Sequence, residues 1–188
     1  MNQARVQFNM AMADSPNIAP CKTESTREIP EFYDMRADEN WKECIQEVRR
    51  TGNCTSGHVM AVISTVEDRM CIEKEGKQKY QLSAQDVISC DKENYYCNGG
   101  YVTYALNYGI SKGFIREENF PWTGQNTTCP DIENAERQNG EQTVLAGYCA
   151  VQGPDAIKQQ IIEEGPVIAP LTSYTDFLTY KDGTYFPS

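Results

Sequence analysis

The residues best suited to chemistry are a single histidine, His58, and a serine two positions before it, in the stretch GNCTSGHVMA at 52–61. A serine hydroxyl becomes a nucleophile when a histidine accepts its proton. Both residues fall at the predicted start of a helix, where side chains two positions apart do not face each other. Ser56 is also a favourable helix N-cap residue. The sequence therefore predicts a structural role for Ser56 rather than a catalytic pair.

The eight cysteines are the second set of potentially reactive groups. Zinc sites usually contain close pairs such as C-x-x-C, and this sequence has neither such a pair nor a second histidine. An even number of dispersed cysteines favours disulfides, and hence an oxidising compartment such as the secretory pathway, a lysosome-like organelle or the extracellular space. Asn53 and Asn126 begin N-x-S/T triplets and are candidate glycosylation sites. We expect neither a metal ion nor a cofactor.

The charge balance excludes two classes of partner. The chain has 17 basic and 27 acidic residues, a net charge of −10, and no basic stripe. Such a chain is a poor ligand for nucleic acid or anionic lipid. The pair Arg49–Arg50 and the scattered carboxylates, including Asp86, are expected to be solvated. No apolar run is long enough for a membrane span or a signal sequence, so a secretory signal is expected upstream of Met1, unless the chain is a processed piece.

The elements that must position these residues change in character along the chain. Apolar residues at helical spacing predict a first helix at 56–72. Ser83, followed by Asp86, predicts the cap of a second helix at 82–90, and glycines frame a third at 99–109. The later part predicts strands at 142–151 and 166–171, a helix at 153–165, and a short helix or turn at 174–180.

Helices followed by mixed strands and helices indicate an α+β fold with two lobes. The predicted divisions are an N-terminal tail or propeptide remnant at 1–27, a helical lobe with disulfides at 28–121, and a β-rich second lobe at 122–188. Two short strands leave open edges, and such edges aggregate unless they are covered. We therefore expect the rest of this lobe on another polypeptide, a protein subunit that covers the edges, or a native protein longer than this chain.

Several segments resemble, in order, the papain family of cysteine proteases, nearest to the cathepsin B branch. The resemblance runs from about residue 28 to the last residue and implies a papain-like fold, with a helical first lobe and an incomplete β-barrel-like second lobe. The segments that carry it are IPEFYDMR, RTGNCTSGHVMAVISTVEDRMCI, LSAQDVISCD, YYCNGGYVTYALNYGISKGFI, ENFPW and EEGPVIAPLTSYTDFLTYKDGTYF.

The resemblance also implies disulfides. Cys21 and Cys149 have no counterpart in the pattern, and the sequence leaves open whether they pair or remain free. The implied pairs are Cys54–Cys97, Cys90–Cys129 and Cys44–Cys71.

The family's nucleophile, as the resemblance implies, lies three residues after the first cysteine of the nucleophile loop. In this chain that position is Gly57, which has no side chain. His58 stands where the family has tryptophan, and Thr51 where it has the glutamine that donates to the oxyanion. The family's catalytic histidine and asparagine lie beyond the final residues GTYFPS. We expect no cysteine-protease chemistry from this chain.

Gly99, Gly100 and Tyr101 follow the C-N-G-G pattern. In the family, these glycines approach the main chain of a bound peptide, and glycine permits such an approach. The resemblance thus implies a peptide groove that includes Tyr101. The alternative is that the glycines only shape the turn into the next helix.

The predicted function is that of a catalytically inactive peptidase homologue, acting as a structural or peptide-binding subunit of a larger assembly. One alternative is that the chain is part of a cysteine-type endopeptidase whose remaining half carries the histidine and asparagine. That alternative still needs a nucleophile, such as Cys54 released from its disulfide. A third possibility is a decoy module that holds extended peptides without cutting them.

Overall fold

The computed structural model describes residues 7–11, 18–22, 27–130, 142–172 and 174–186. The helices and strands of these residues are β1 (Gln7–Ala11), α1 (Gly57–Glu73), α2 (Ala84–Cys90), α3 (Val102–Ser111), β2 (Gly147–Val151) and α4 (Pro154–Glu164). Short 3-10 helices cover Met35–Ala37, Tyr96–Asn98 and Thr175–Thr179. The predicted helices at 56–72, 82–90, 99–109 and 153–165 are therefore present, with ends displaced by up to three residues. Residues 131–141, which belong to the predicted second lobe, lie outside the described residues.

The core of the first lobe forms around α1. Val59, Val62, Ile63 and Val66 on this helix are almost fully buried. They join one cluster with apolar side chains of α2 and α3 and with Phe114. Burying each large aliphatic side chain contributes about 1.5–3 kcal/mol, so this cluster fixes α1 and the loop that leads into it.

The two predicted caps differ in the structure. Ser83 caps α2 as expected, because its Oγ accepts a hydrogen bond from the backbone N–H of Asp86 at 2.9 Å. Ser56 occupies the N-cap position of α1 but makes no side-chain capping bond. Its buried hydroxyl donates instead to the carbonyl of Cys54 at 3.4 Å. The prediction of a side-chain cap at Ser56 is therefore wrong, since the local turn directs the hydroxyl backwards.

The second lobe contains β2 and α4, and β2 is paired with the N-terminal part of the chain. β1 runs parallel to β2, with Gln7 opposite Gly147 and Ala11 opposite Val151. Ala150 also exchanges two backbone hydrogen bonds with Ala19 and Cys21. The predicted N-terminal tail thus contains a strand that the polar sequence did not indicate. The boundaries between tail and lobes remain a prediction.

The strand predicted at 166–171 is absent from the described sheet, and the one predicted at 142–151 is shortened to 147–151. Pro166 and Pro170 each lack the N–H that a ladder requires, which accounts for the first difference. Ile168 between them is still buried in the core. Thr143 forms an isolated bridge with Phe114, outside any strand.

Two side chains that were expected to be solvated are partly or fully buried. Asp86 is almost inaccessible, and its carboxylate accepts a hydrogen bond from the hydroxyl of Tyr108 at 3.0 Å. Arg49 is mostly covered and pairs with the buried carboxylate of Glu67 at 2.5 Å. The polar character of Asp86 and Arg49 suggested that both side chains are exposed to solvent. The sequence does not show that Tyr108 and Glu67 pair with them.

All eight cysteines form disulfides. Three of the bonds are the pairs implied by the resemblance, Cys54–Cys97, Cys90–Cys129 and Cys44–Cys71. The fourth joins Cys21 to Cys149 and links the N-terminal part of the chain to β2. Four disulfides indicate an oxidising compartment.

Among the described helices, none combines the length and the apolar character needed to cross a bilayer. The described residues also contain no group of three or more His, Cys, Asp or Glu side chains placed to hold a metal ion.

Candidate functional site

Gly57 is the first residue of α1 and is exposed at the surface. A Cβ atom built on this residue would have no heavy atom within 4 Å outside its immediate neighbours. The position therefore has space for a side chain, although it carries none. Because backbone N–H groups at the start of a helix point outward, a group placed here would experience the positive end of the helix dipole.

The loop before Gly57 is fixed by the Cys54–Cys97 disulfide. Cys54 is only 2% exposed, and the backbone N–H of Thr55 donates to the carbonyl of Cys97 at 3.0 Å. These two links attach the start of α1 to the segment that carries C-N-G-G. The closed bond also means that Cys54 carries no thiol that could serve as a nucleophile.

His58 lies half-buried beside Gly100. Its Nε2 atom is buried without a hydrogen-bond partner among the described residues. Burial lowers the pKa of the imidazole, and the nearby carboxylate of Asp91 opposes this shift. Since the Ser56 hydroxyl is directed to the Cys54 carbonyl, the structure does not bring Ser56 and His58 together as a nucleophile–base pair.

Gly99 and Gly100 form a tight backbone turn that other residues would not fit. Gly99 has φ of 98°, in the left-handed region that favours glycine. A Cβ on Gly100 would lie 2.5 Å from Nε2 of His58, and closer still to Oδ1 of Asn94. Neither the N–H nor the C=O of Gly100 makes a hydrogen bond to another described residue. The turn thus leaves the backbone polar groups of Gly100 without a partner among the described residues.

Asn94 is the buried residue that holds this turn. Its Oδ1 accepts from the backbone N–H of Tyr101 at 2.7 Å, and its Nδ2 donates to the Asp91 carboxylate at 2.7 Å. Neither Asp91 nor Asn94 was predicted from the sequence. An Asp and an Asn three residues apart, shortly before a Gly-Gly pair, are typical of side chains that organise turns, and this signal could have identified them.

Tyr101 is 58% exposed next to the Gly99–Gly100 backbone, and its ring packs edge-on against Tyr104 at 5.4 Å between centroids. The ring is therefore positioned at the rim of the turn rather than in the core. An exposed tyrosine beside a free backbone edge can cover the side chain of a bound peptide.

Thr51 precedes the Cys54–Cys97 disulfide, and its carbonyl accepts from the backbone N–H of Cys54 at 3.4 Å. A role of Thr51 at an oxyanion site remains a prediction. The two sequon asparagines are exposed, and Oδ1 of Asn126 accepts from the backbone N–H of Cys97 at 2.9 Å. Glycosylation of Asn53 and Asn126 remains a prediction.

Comparison with known proteins places this geometry in a family. Residues 29–188 match the family described as "Papain family cysteine protease". Cathepsin B-like CP3 of Giardia intestinalis is 30% identical over 172 residues, which is 88% of this chain and 56% of that protein. Cathepsin S of Mus musculus is 28% identical over 181 residues, or 91% and 49% of the two chains. The chain spans about half the length of the curated relatives it matches.

Two solved structures show the same fold. Digestive procathepsin L 3 of Tenebrio molitor superimposes with a TM-score of 0.62, at 21% identity, over 85% of this chain and 49% of that one. The ragweed pollen allergen Amb a 11, a cysteine protease in its proform, gives a TM-score of 0.51 at 26% identity, over 59% and 33% of the two chains. With a papain-like fold, the family's disulfides and a match over most of its length, the chain belongs to the papain family of cysteine proteases.

Proposed function

We propose that this chain is a catalytically inactive peptidase homologue that binds extended peptide or protein segments within a larger assembly. The observation that carries the proposal is Gly57, an exposed glycine with open space around it at the position where the family has its nucleophile. Thr51 stands where the resemblance places the oxyanion-binding glutamine, and this difference further supports the proposed loss of catalysis. Without a nucleophile, no acyl-enzyme intermediate can form at this position.

The groove supports the binding half of the proposal. Gly100 offers a free backbone N–H and C=O beside the exposed ring of Tyr101. A peptide strand that pairs with such an edge gains main-chain hydrogen bonds, and its side chains contact the neighbouring aromatic rings. The Cys54–Cys97 bond and the Asn94 contacts hold this edge in place before any ligand binds, which reduces the entropy cost of binding.

The assembly half of the proposal rests on the second lobe. Several large apolar or aromatic side chains within residues 171–186 are exposed, and exposed apolar surface of this kind is a feature of protein interaction sites. A protein surface that packs against this part of the lobe would shield them. The exposed side chains are Leu171, Tyr174, Tyr180 and Phe186.

Hydrolysis of fluorogenic peptide amides tests the loss of catalysis. We expect the rate to be at least about 10⁵-fold below that of a papain-family protease that has its cysteine nucleophile. The controls are Ser56→Ala and His58→Ala, since a trace of contaminating protease would be unaffected by either change. Hydrolysis by the purified protein that disappears in either variant would contradict the proposal.

Binding of labelled extended peptides, measured by fluorescence anisotropy, tests the groove. Tyr101→Ala is expected to weaken binding about tenfold, because the ring covers the side chain of the bound peptide. Val48→Ala is the control, since Val48 is 95% exposed and belongs to neither of the two proposed binding surfaces. Equal affinities of the wild type and the Tyr101 variant would remove this part of the proposal.

The second candidate is one part of a cysteine-type endopeptidase whose remaining part supplies the histidine and asparagine. This candidate needs a free thiol as its nucleophile. Cys54 does not supply one, because it is buried and forms a disulfide with Cys97. The same hydrolysis assay, repeated on the protein isolated with whatever chains remain bound to it, distinguishes the two candidates. Activity that iodoacetamide abolishes would favour the endopeptidase.

A further inference from the structure

A second candidate site lies far from Gly57 along α1. A cavity of about 460 Å³ opens between the segment 32–36, Ile45, Pro166 and Asp68 of α1. Asp68 follows Gly57 by eleven residues, which corresponds to about 16 Å along the helix axis. The cavity is therefore separate from the Gly99–Gly100 groove. Binding of a ligand in the cavity is independent of the peptide binding proposed above.

Asp68 supplies a buried carboxyl to the cavity. The residue is only 8% exposed, and one of its oxygens, Oδ1, accepts from the backbone N–H of Gln46 at 3.3 Å. Within the described part of the chain, no cation pairs with this carboxyl, and its other oxygen has no hydrogen-bond partner. A carboxylate buried to this extent usually has a paired cation, so the absence of one marks a binding position.

The other charged groups around the cavity do not neutralise Asp68. Arg36 is committed to Asp34 through two guanidinium nitrogens, with distances of 2.7 to 3.2 Å. The hydroxyl of Tyr33 donates to Asp38 at 2.9 Å. On the preceding position of α1, Glu67 is already paired with Arg49. On the following position, Arg69 donates to the carbonyls of Pro166 and Gly165. These cations are bound to other acceptors, and none of them pairs with Asp68, so the Asp68 carboxylate is the group in the wall that favours a cation.

The remaining lining is apolar and comes from Phe32, Met35, Ile45 and Pro166. We propose that this cavity binds a protonated amine attached to an apolar or aromatic body, with the ammonium on the Asp68 carboxylate and the body against Met35, Ile45 and Pro166. The volume lies within the range of roughly 300–1,000 Å³ in which small-molecule sites occur. A charge-assisted hydrogen bond to the carboxylate fixes the orientation, and burial of the apolar body adds affinity.

Isothermal titration of the full chain with phenethylamine tests this site. The experiment is run at about pH 8, where the amine is protonated and Asp68 is ionised, because burial raises the pKa of Asp68 only to about 6. We expect saturable binding of one equivalent. 2-Phenylethanol, which has the same body and a neutral head, is expected to bind about tenfold more weakly or not at all.

Asp68→Asn keeps the shape of the side chain and removes its charge, so it should also weaken phenethylamine binding by about tenfold or more. Asp155→Asn is the matched control, because it removes the same charge from an exposed position on α4. Ile45→Trp is a second variant, which fills the cavity without changing Asp68 and should also abolish binding. Thermal melts verify that each variant is folded.

The proposal is overturned if phenethylamine shows no saturable binding, if the alcohol binds equally well, or if Asp155→Asn weakens binding as much as Asp68→Asn. A free amine and a lysine side chain of a bound protein present the same cation. Competition between phenethylamine and a blocked Phe-Lys dipeptide separates these sources. If the dipeptide displaces phenethylamine at a concentration below that of phenethylamine, the cavity is assigned to a lysine side chain. If the dipeptide does not displace phenethylamine, the cavity is assigned to a free amine. The carboxylate–ammonium contact is the basis of binding in both cases.

Discussion

Replacing Gly57 with cysteine is expected to give a protein that iodoacetamide labels at one site, whereas the wild type is not labelled. The wild type has no free thiol, since its eight cysteines form four disulfides. The new side chain fits without rearrangement, because a Cβ at residue 57 meets nothing within 4 Å. Intact mass after labelling under non-reducing conditions gives the number of thiols directly.

The new thiol is also expected to react faster than an ordinary exposed one. It would occupy the first position of α1, where the positive end of the helix dipole stabilises a thiolate. Thr55→Cys is the matched control, because Thr55 is exposed in the same loop but precedes the helix. We expect labelling of the Gly57 variant at neutral pH to be several-fold faster. Absence of labelling would show that residue 57 is not accessible as described.

The start of α1 is held in place without any contribution from the side chain at residue 57. The contacts that hold the start of α1 are the Cys54–Cys97 bond, the Thr55–Cys97 hydrogen bond and the buried Val59. None of them uses the side chain at residue 57. A side chain at residue 57 would therefore contribute little to the fold, so both glycine and cysteine at this position are compatible with these contacts.

Local patterns in the sequence were enough to predict the helices. α1 shows apolar residues at helical spacing, and α2 begins with a serine cap that the structure contains. The prediction that Gly57 occupies the nucleophile position came from the resemblance alone. No local sequence pattern indicates that a functional side chain is missing. The space around that glycine depends on how α1 meets the rest of the fold and was not readable from the sequence.

Features that depend on distant partners were not predicted. β1 pairs with β2, which lies about 140 residues later in the chain, and the short alternation Gln7-Phe8-Asn9-Met10 in a mostly polar tail does not by itself indicate that partner. Glu67, Asp68 and Arg69 follow one another in the sequence like a solvated turn of helix, yet all three are buried. Their burial results from segments that cover this part of α1, such as Arg49 and Pro166.

Glu67 is expected to make the protein less stable as the pH rises from about 4.5 to 7. Its side chain is only 1% exposed. One oxygen accepts from Arg49 and from the backbone N–H of Leu82, while the other is buried without a hydrogen-bond partner among the described residues. Burial raises the pKa of Glu67 from 4.5 to about 7, against the opposing effects of Arg49 and the Leu82 N–H. Asp68 and Glu117 raise it further.

The direction follows from proton binding. Between pH 4.5 and 7 the folded state holds a proton on Glu67 that the unfolded state has lost, so each increase in pH lowers the free energy of unfolding. A pKa rise from 4.5 to about 7 corresponds to about 3 kcal/mol, at about 1.4 kcal/mol per pH unit. Asp68 acts in the same direction, because burial raises its pKa to about 6. His58 acts in the opposite direction, since burial lowers its pKa below 6.5.

Comparison of the wild type with Glu67→Gln isolates the contribution of this one group, because Asp68 and His58 are present in both proteins. Glutamine keeps an oxygen that can accept from Arg49 and Leu82 but does not titrate. In urea unfolding at pH 4.5 and 7, the variant should gain about 3 kcal/mol relative to the wild type at the higher pH. Glu73→Gln, on the same helix with a side chain that is 41% exposed, should show no such change. A constant difference between wild type and Glu67→Gln at both pH values would mean that Glu67 is ionised throughout, and that the Arg49 ion pair outweighs the cost of its burial.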